Sequence, residues 1–89
     1  MRAIVTVIGK DRVGIIASVC SLLAENGVNI LDISQTVLQE YFTMIMLVDI
    51  KGSSASFVEL SKSLEARGNE QSLSIRIQRE DIFEAMHRI

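Results

Sequence analysis

The spacing of apolar residues changes its period repeatedly along the 89-residue chain, and the order of these periods restricts the fold more than any single motif does. Four stretches have the two-residue period of a β-strand, and two have the 3.6-residue period of an amphipathic helix. The strands are predicted at residues 2–8, 28–38, 42–50 and 72–79. The helices are predicted at residues 14–26 and 54–67. The order is therefore strand, helix, strand, strand, helix, strand.

This order is that of the split β-α-β, or ferredoxin-like, arrangement. Because each β-α-β crossover is expected to be right-handed, both helices should cover one face of a four-stranded antiparallel sheet. We therefore predict an α+β fold, a ferredoxin-like βαββαβ sandwich, as a single domain over residues 1–89 with a core of residues 1–79. The third strand, residues 42–50, has apolar side chains on both faces, including Ile45 and Leu47. This pattern predicts a central strand that is covered on both sides.

The residues that follow the fourth strand predict a short C-terminal helix. Ile82, Phe83, Met86 and Ile89 recur at helical spacing within this tail, residues 80–89. The apolar stripe indicates that the helix packs on another surface, which the sequence does not identify.

Smaller signals predict where the two main helices begin, end and pack. Gly27 and Gly68 are expected to end them, because the residue after a helix often needs a positive φ. Asp11 lies where a cap or a first-turn acid would stabilise the first helix. One face of the second predicted strand is expected to carry Leu31, Ile33 and Val37. The inward face of the second helix is expected to carry Phe57, Leu60 and Leu64.

Composition excludes several classes of function. The net charge of −2 gives no general attraction to nucleic acid. No apolar run approaches the roughly 18 residues of a membrane span, and the first residues read as a strand rather than a signal peptide. The single cysteine excludes an internal disulfide framework. We predict a cytoplasmic protein without nucleic-acid or membrane partners, and expect so small a domain to gain stability by self-association.

The turn between the first strand and the first helix is the strongest candidate for a binding site. Residues 9–14, GKDRVG, match the glycine spacing of a P-loop, but Ile15 and Ile16 follow where that loop needs lysine and a hydroxyl. What remains is a helix start whose free N–H groups can face an anion. The alternative is that Gly14 only lets the helix and strand pack closely.

Two motifs around this turn resemble the ACT domain family. The family pattern D-[RK]-x-G-[IV]-[IVL]-A is filled by Asp11, Arg12, Gly14, Ile15, Ile16 and Ala17. A second pattern, G-x-N-I, is filled by Gly27, Asn29 and Ile30. The resemblance extends over residues 1 to about 79, and the chain is similar to stand-alone ACT proteins of unassigned function. It is also similar to the ACT regions of the glycine cleavage regulator and of formyltetrahydrofolate deformylase.

The resemblance implies a non-catalytic, homodimeric regulatory module that binds a small effector, such as an amino acid, at the subunit interface. The implied ligand-binding residues are Asp11, Arg12, Val13, Gly14, Ile15, Asn29 and Ile30. The last two often come from the partner chain in this family, and Val13 stands where many members have proline. The residues alone leave two alternatives open. The side chain of Asn29 could instead bond local backbone, and Asp11 and Arg12 could instead form a solvated turn.

The sequence gives little support for catalysis or metal binding. Cys20 and His87 are the only nucleophile and base of the usual kinds, and they lie in different elements. Cys20 is expected to be a buried, inert thiol, whereas Met44, Met46 and Met86 are expected to fill core or interface space. No cluster has metal-ligand spacing. We predict no catalysis, no metal and no cofactor.

Three alternative functions share this topology or composition. A ligand-free regulator of protein–protein interactions would act through the apolar sheet face and the tail helix. An RNA-recognition motif would need aromatic residues on the central strands, where this chain has only Phe42 at a strand end. An acylphosphatase-like hydrolase would need an arginine after the loop glycine, and Arg12 precedes it.

Overall fold

The computed structural model describes residues 1–10 and 14–82. Its elements are β1 (Arg2–Lys10), α1 (Ile15–Glu25), β2 (Asn29–Leu38), β3 (Tyr41–Asp49), α2 (Phe57–Gln71) and β4 (Ser74–Arg79). The predicted α+β, ferredoxin-like order is confirmed. Residues 80–82 are helical and are the described part of the short C-terminal helix. The tail residues Phe83, Met86, His87 and Ile89 lie outside the described residues.

The four strands form one antiparallel sheet in the order β2-β3-β1-β4. The strands β2 and β4 are therefore its edges. Paired residues define the two ends of the sheet. At one end Arg2 and Asn29 both pair with Asp49, and at the other end Lys10 and Leu38 both pair with Tyr41.

The core lies between one face of the sheet and the two helices. It is formed by alternate residues of β1, β3 and β4 together with the inner stripes of α1 and α2. Its fully buried large side chains are Val5, Val7, Val19, Leu23, Met44, Met46, Val48, Leu60 and Leu64. Burying a side chain of this size contributes about 1.5–3 kcal/mol, so these residues supply much of the stability. The prediction that Met44 and Met46 fill the core is confirmed.

The strand β3 is central, as predicted, but among the described residues the helices cover it on one side only. Phe42, Met44, Met46 and Val48 are buried against the helices. On the opposite face Ile45 is 40% exposed, because both helices lie on the other side of the sheet. The prediction that β3 is covered on both sides is therefore wrong for the part of the chain that the structure describes.

The strand β2 is far more exposed than its apolar pattern suggests. Leu31, Ile33 and Val37 are 47%, 40% and 53% exposed, since β2 is an edge strand with only one neighbouring strand. A β-bulge between Ile30 and Asp32 makes the register with β3 skip Leu31. The predicted alternation is therefore interrupted at the start of this strand.

The end of α1 confirms the prediction for Gly27. This residue has φ +74°, and the Val28 N–H donates to Leu23 O at 2.9 Å. The Gly27 N–H donates to Ala24 O at 3.0 Å, which completes a Schellman motif. A side chain at Gly27 would also meet the carbonyl oxygen of Gly52, because its Cβ would lie 2.7 Å away.

The prediction that Gly68 ends α2 is wrong. The helix continues to Gln71, and the left-handed residue that follows it is Ser72, with φ +57°. Gly68 is buried inside the helix where β4 approaches: a Cβ there would lie 2.7 Å from Leu73 O and 3.2 Å from Ile75 Cγ1. The glycine is needed for close packing and not for a helix stop.

The start of α2 is fixed by a capping box. The Glu59 N–H donates to Ser56 Oγ at 3.1 Å, and the Ser56 N–H donates to Glu59 Oε1 at 3.0 Å. This second hydrogen bond, from the Ser56 backbone, lowers the pKa of Glu59 below its ordinary value. The helix therefore begins at Phe57 rather than at residue 54 as predicted.

Candidate ligand-binding site

Gly14 is the N-cap of α1 and has a left-handed backbone, with φ +91°. A Cβ at this position would meet no described atom within 4 Å. The conformation therefore requires the glycine, and the packing explanation of Gly14 is wrong. The close approach lies instead at Gly9, where a Cβ would overlap the side chain of Leu73.

The first turn of α1 leaves backbone donors unused by the helix. Its first hydrogen bond runs from the Ser18 N–H to Gly14 O at 2.9 Å, so the N–H groups of Ile15, Ile16 and Ala17 precede the helical ladder. No acidic residue lies in this turn, and Gly14 caps it without a side-chain hydrogen bond. The prediction that Asp11 acts as a cap or a first-turn acid stays a prediction, because it falls on a residue that is not described. Asp11, Arg12 and Val13 lie outside the described residues.

Apolar side chains flank these donors. Ile15 is 2% exposed and anchors the start of the helix in the core. Ile16 follows it and is 38% exposed. The turn thus presents backbone N–H groups beside an accessible apolar side chain, which is a combination suited to a ligand with a carboxylate and an apolar part.

The second half of the predicted site, Asn29 and Ile30, begins β2. Asn29 is exposed, and its side-chain amide makes no hydrogen bond with any residue in the described ranges. In the described part of the chain, therefore, the Asn29 amide does not bond local backbone, which was the alternative. Ile30 is half-buried and packs against the core opposite Val48. Asn29 is thus exposed, while the next residue, Ile30, holds the start of β2 against the core.

A single chain does not bring the two halves of the site together. Gly14 follows the end of β1, where Lys10 pairs with Tyr41. Asn29 lies at the other end of the sheet, where it pairs with Asp49. The ten residues of β2 separate these ends by roughly 30 Å at about 3.3 Å per residue. A ligand of amino-acid size cannot contact both halves in one chain.

A polar clamp that sequence reasoning missed ties α1 to α2 one turn after Gly14. Arg67 Nη1 donates to Ser18 Oγ at 3.1 Å and to Ser18 O at 3.3 Å. Gln71 Nε2 donates to Ser18 Oγ at 3.0 Å. The four-residue spacing of Arg67 and Gln71 puts both on one face of α2, but it does not reveal the partner. The clamp holds the first half of the site against the second helix.

Asp49 is already engaged at the Asn29 end of the sheet. Its Oδ1 accepts the Lys51 N–H at 2.9 Å and lies 3.4 Å from the N-terminal ammonium of Met1. The first of these interactions, with the Lys51 backbone, lowers the pKa of Asp49 below its ordinary value. The carboxylate is therefore a structural partner of this corner.

Other candidate chemistry finds no site in residues 1–10 and 14–82. Cys20 packs against the core, but it is half-buried and so less buried than predicted. These residues hold no group of three or more His, Cys, Asp or Glu side chains arranged for a metal ion. A groove of about 490 Å³ between α2 and β4 includes Ser61, Glu65 and Asn69, but it lies at the β4 edge of the sheet. None of the described helices is long and apolar enough to cross a membrane.

Comparison with known proteins finds one family. A model of the ACT domain matches residues 2–78. A UPF0237 protein of Clostridium acetobutylicum is 57% identical over 89 residues, which is the full length of both chains. The structure of an ACT domain protein from Streptococcus pneumoniae is 49% identical, with a TM-score of 0.82 and coverage of 98% of each chain.

Two larger proteins contain a similar unit. The structure of a putative glycine cleavage system transcriptional repressor is 27% identical with a TM-score of 0.76, and the match covers 86% of this chain and 44% of that one. A formyltetrahydrofolate deformylase from Pseudomonas syringae is 26% identical with a TM-score of 0.76, and the match covers 88% of this chain and 27% of that one. The same fold therefore occurs alone and as part of longer chains.

Proposed function

Because the chain belongs to the ACT domain family, we propose that it is a non-catalytic regulatory module that binds a small effector, such as an amino acid, between two paired copies. The observation that carries the proposal is the position of the two half-sites at opposite ends of β2. A module of this kind acts by pairing in response to its effector. Its single cysteine suits the reducing cytoplasm, where we place it.

Antiparallel pairing of β2 with β2 of a second copy would complete the site. In such a pair the start of one strand lies beside the end of the other. Asn29 and Ile30 of the second copy would then lie next to Leu38, at the end of the sheet where Gly14 begins α1. The two-fold symmetry of the pair creates this arrangement twice, so two chains share two sites.

The chemistry of the two edges supports pairing through β2 rather than β4. The strand β2 has ten exposed or half-buried residues, contains no proline and carries Asp32 as its only charge. The strand β4 has six residues and carries Arg76 and Arg79. Long edge strands with few charges accept another strand more readily than short edge strands with several charges.

The site suits a ligand with a carboxylate and an amine. The N–H groups at the start of α1 and the helix dipole favour a carboxylate by about 0.3–1 kcal/mol. The amide of Asn29 from the second copy can accept from an amine and donate to a carboxylate. Ile16 and Ile30 supply apolar contact, and we assign Asp11, Arg12, Val13 and Ile15 to the same pocket. A ligand held by both chains stabilises the pair by mass action.

The first experiment is a thermal-shift screen of the purified protein against a full panel of amino acids. We expect one amino acid to raise the Tm, by roughly 10 °C at about 100 times its Kd. Gly14→Asp should abolish the response, because it places a carboxylate where the ligand carboxylate binds. Gly14→Asn is the matched control: it has nearly the same shape, tolerates positive φ equally well and adds no charge. It should weaken binding less.

The second experiment tests whether the site is shared between chains. Gly14→Asp and Asn29→Ala should each fail to bind the amino acid found in the screen. After mixing and re-pairing at equal amounts, half of the pairs are mixed, and each mixed pair has one site with both wild-type halves. Calorimetry should then recover about a quarter of the wild-type sites. No recovery, or no response to the whole panel, would contradict the proposal and favour the ligand-free alternative.

A further inference from the structure

The face of the sheet away from α1 and α2 carries alternate residues of the four strands, and we call it the open face. Its apolar side chains on the two central strands are those of Ile4, Ile8, Tyr41, Ile45 and Leu47. Its charged strand residues lie around these: Arg2 and Asp49 at one end, Lys10 at the other end, and Asp32 and Arg76 on the edge strands. An apolar middle with a charged rim is typical of a surface that packs on something.

Burial on the open face is uneven along β1. Ile4 is only 9% exposed, whereas Ile8, on the same strand and the same face, is 48% exposed. Ile4 lies between Leu47 and Gln78 of the neighbouring strands. Such neighbours stand beside a side chain and leave its outer end open, as the 40% exposure of Ile45 shows. Ile4 therefore has a cover above it, although both α1 and α2 lie on the other side of the sheet.

The chain leaves β4 at the end of the sheet that holds Ile4. Glu80 follows β4 directly and is helical. Its Oε2 lies 2.9 Å from Nη2 of Arg2 on the open face. The next residue, Asp81, has its Oδ2 2.9 Å from Nη2 of Arg79. Two ion pairs therefore hold the start of the tail beside the buried part of the open face.

The sequence of the tail is that of an amphipathic helix. Its large apolar residues, Ile82, Phe83, Met86 and Ile89, recur at helical spacing. Its polar residues, Glu80, Asp81, Glu84, His87 and Arg88, take up the opposite side of the same helix. Two acids lie in the first turn and an arginine lies in the last, where each charge favours the helix dipole. The tail thus has an apolar stripe that needs a partner surface.

We propose that residues 83–89 continue this helix over the open face of the same chain, so that its apolar stripe covers Ile4 and Leu47. The 9% exposure of Ile4 is that of one chain alone, so its cover belongs to the same chain and not to a second copy. The ion pair of Glu80 with Arg2 fixes where the helix begins.

The length of the tail agrees with the pattern of burial. A helix of the ten residues 80–89 is about 15 Å long. Rows of side chains on one face of a sheet are about 7 Å apart. A helix that runs back along β1 from the end of β4 therefore passes the row of Ile4, reaches the row of Ile45 and ends before the row of Ile8. Ile4 is accordingly buried, and Leu47 beside it is half-buried, whereas Ile8 is exposed.

This cover is independent of the proposed function, because it lies on the open face and not at Gly14 or along the edge of β2. It does bear on the ligand-free alternative. A regulator of that kind needs the apolar sheet face and the tail helix to be available to another protein. In this arrangement each covers the other within one chain, and only the part of the open face around Ile8 and Tyr41 stays accessible.

The test is the rate at which one cysteine on the open face reacts with a thiol reagent, in the full chain with Cys20→Ser. Ile4→Cys should react at least about tenfold more slowly than Ile8→Cys, which is the matched control on the same strand and face. Adding Phe83→Glu puts a charge into the apolar stripe and should raise the rate at Ile4→Cys about tenfold, while the rate at Ile8→Cys stays unchanged. Circular dichroism should show that all four proteins are folded.

Two further measurements decide what covers Ile4. Met86→Ser is a milder change in the stripe and should accelerate labelling of Ile4→Cys in the same direction. An unchanged rate in both tail variants would overturn the proposal. The rate at Ile4→Cys should also be independent of protein concentration. A rate that rises on dilution would assign the cover to a second copy and overturn the proposal as well.

Discussion

Glycines at different positions in this chain serve opposite purposes. Gly14 holds a left-handed conformation with no described atom within 4 Å of its Cβ position, whereas Gly68 sits in a regular helix with the backbone of Leu73 against it. The first glycine is needed for its φ, and the second for the absence of a side chain. The distinction bears on the candidate site, because a ligand needs space beside Gly14 that no described atom fills.

Substitutions at these two positions should therefore follow opposite orders. Gly14→Ala should cost about 1–2 kcal/mol of unfolding free energy from the left-handed strain, and Gly14→Asn should recover part of it, because asparagine tolerates this region. Gly68→Ala should cost about 1–3 kcal/mol by overpacking, despite the better helix propensity of alanine, and Gly68→Asn should cost more. Urea unfolding measures all four. If alanine and asparagine had the same order of stability at both positions, these roles of Gly14 and Gly68 would be contradicted.

At the scale of the elements, α2 depends on a titratable cap. The backbone hydrogen bond from Ser56 lowers the pKa of Glu59 in the folded state. A group whose folded pKa is depressed contributes stability above its unfolded pKa, and this contribution is lost as the pH falls through the folded value. The helix should therefore loosen in acid.

The variant Glu59→Gln isolates this effect, because glutamine keeps the capping box and cannot titrate. We expect the wild-type Tm to fall more steeply than that of Glu59→Gln between about pH 5 and pH 3. Glu70→Gln removes another exposed carboxylate of α2 without touching the cap, and should keep the wild-type slope. Parallel curves for wild type and Glu59→Gln would show that the cap does not contribute in this way.

The order of the elements could be predicted from the sequence because periodicity reflects which side chains are buried. The position of each strand in the sheet could not. The apolar patterns of β2 and β3 look alike, yet Met44 is fully buried whereas Ile33 is 40% exposed. Gly27 and Gly68 also look alike along the chain. Their difference depends on what lies against Gly68: the Leu73 N–H donates to Gly68 O at 2.8 Å, and a Cβ at Gly68 would lie 3.2 Å from Ile75 Cγ1 in β4.

The candidate site, too, could be predicted only in part from the sequence. Sequence motifs identified Gly14 and Asn29, and in the structure Gly14 is the exposed N-cap of α1 and Asn29 is an exposed residue at the start of β2. That the two lie at opposite ends of a strand follows from the register of β1, β2 and β3, which the motifs do not contain. The clamp of Arg67 on Ser18 likewise depends on how the two helices meet.

At the scale of the whole molecule, pairing through β2 should control effector binding. Ile33→Lys places a charge in the middle of this exposed edge, where two symmetric copies would bring two lysines together. We expect this variant to lose the pair and, with it, the thermal response to the effector, while circular dichroism shows a folded chain. Val58→Lys is the matched control, because Val58 is an apolar residue on α2 with 60% exposure. Effector binding that survives in a monomeric Ile33→Lys protein would show that one chain contains the whole site.

The unequal edges of the sheet also set a limit to growth. A sheet that is extended by joining two β2 strands ends on β4 in both directions, and β4 is short and carries two arginines. Another strand that approached either end would have to bury those guanidinium groups next to its own backbone. Addition of strands would therefore stop at eight, and the same exposed edge that invites a second copy would produce a closed particle instead of a fibre.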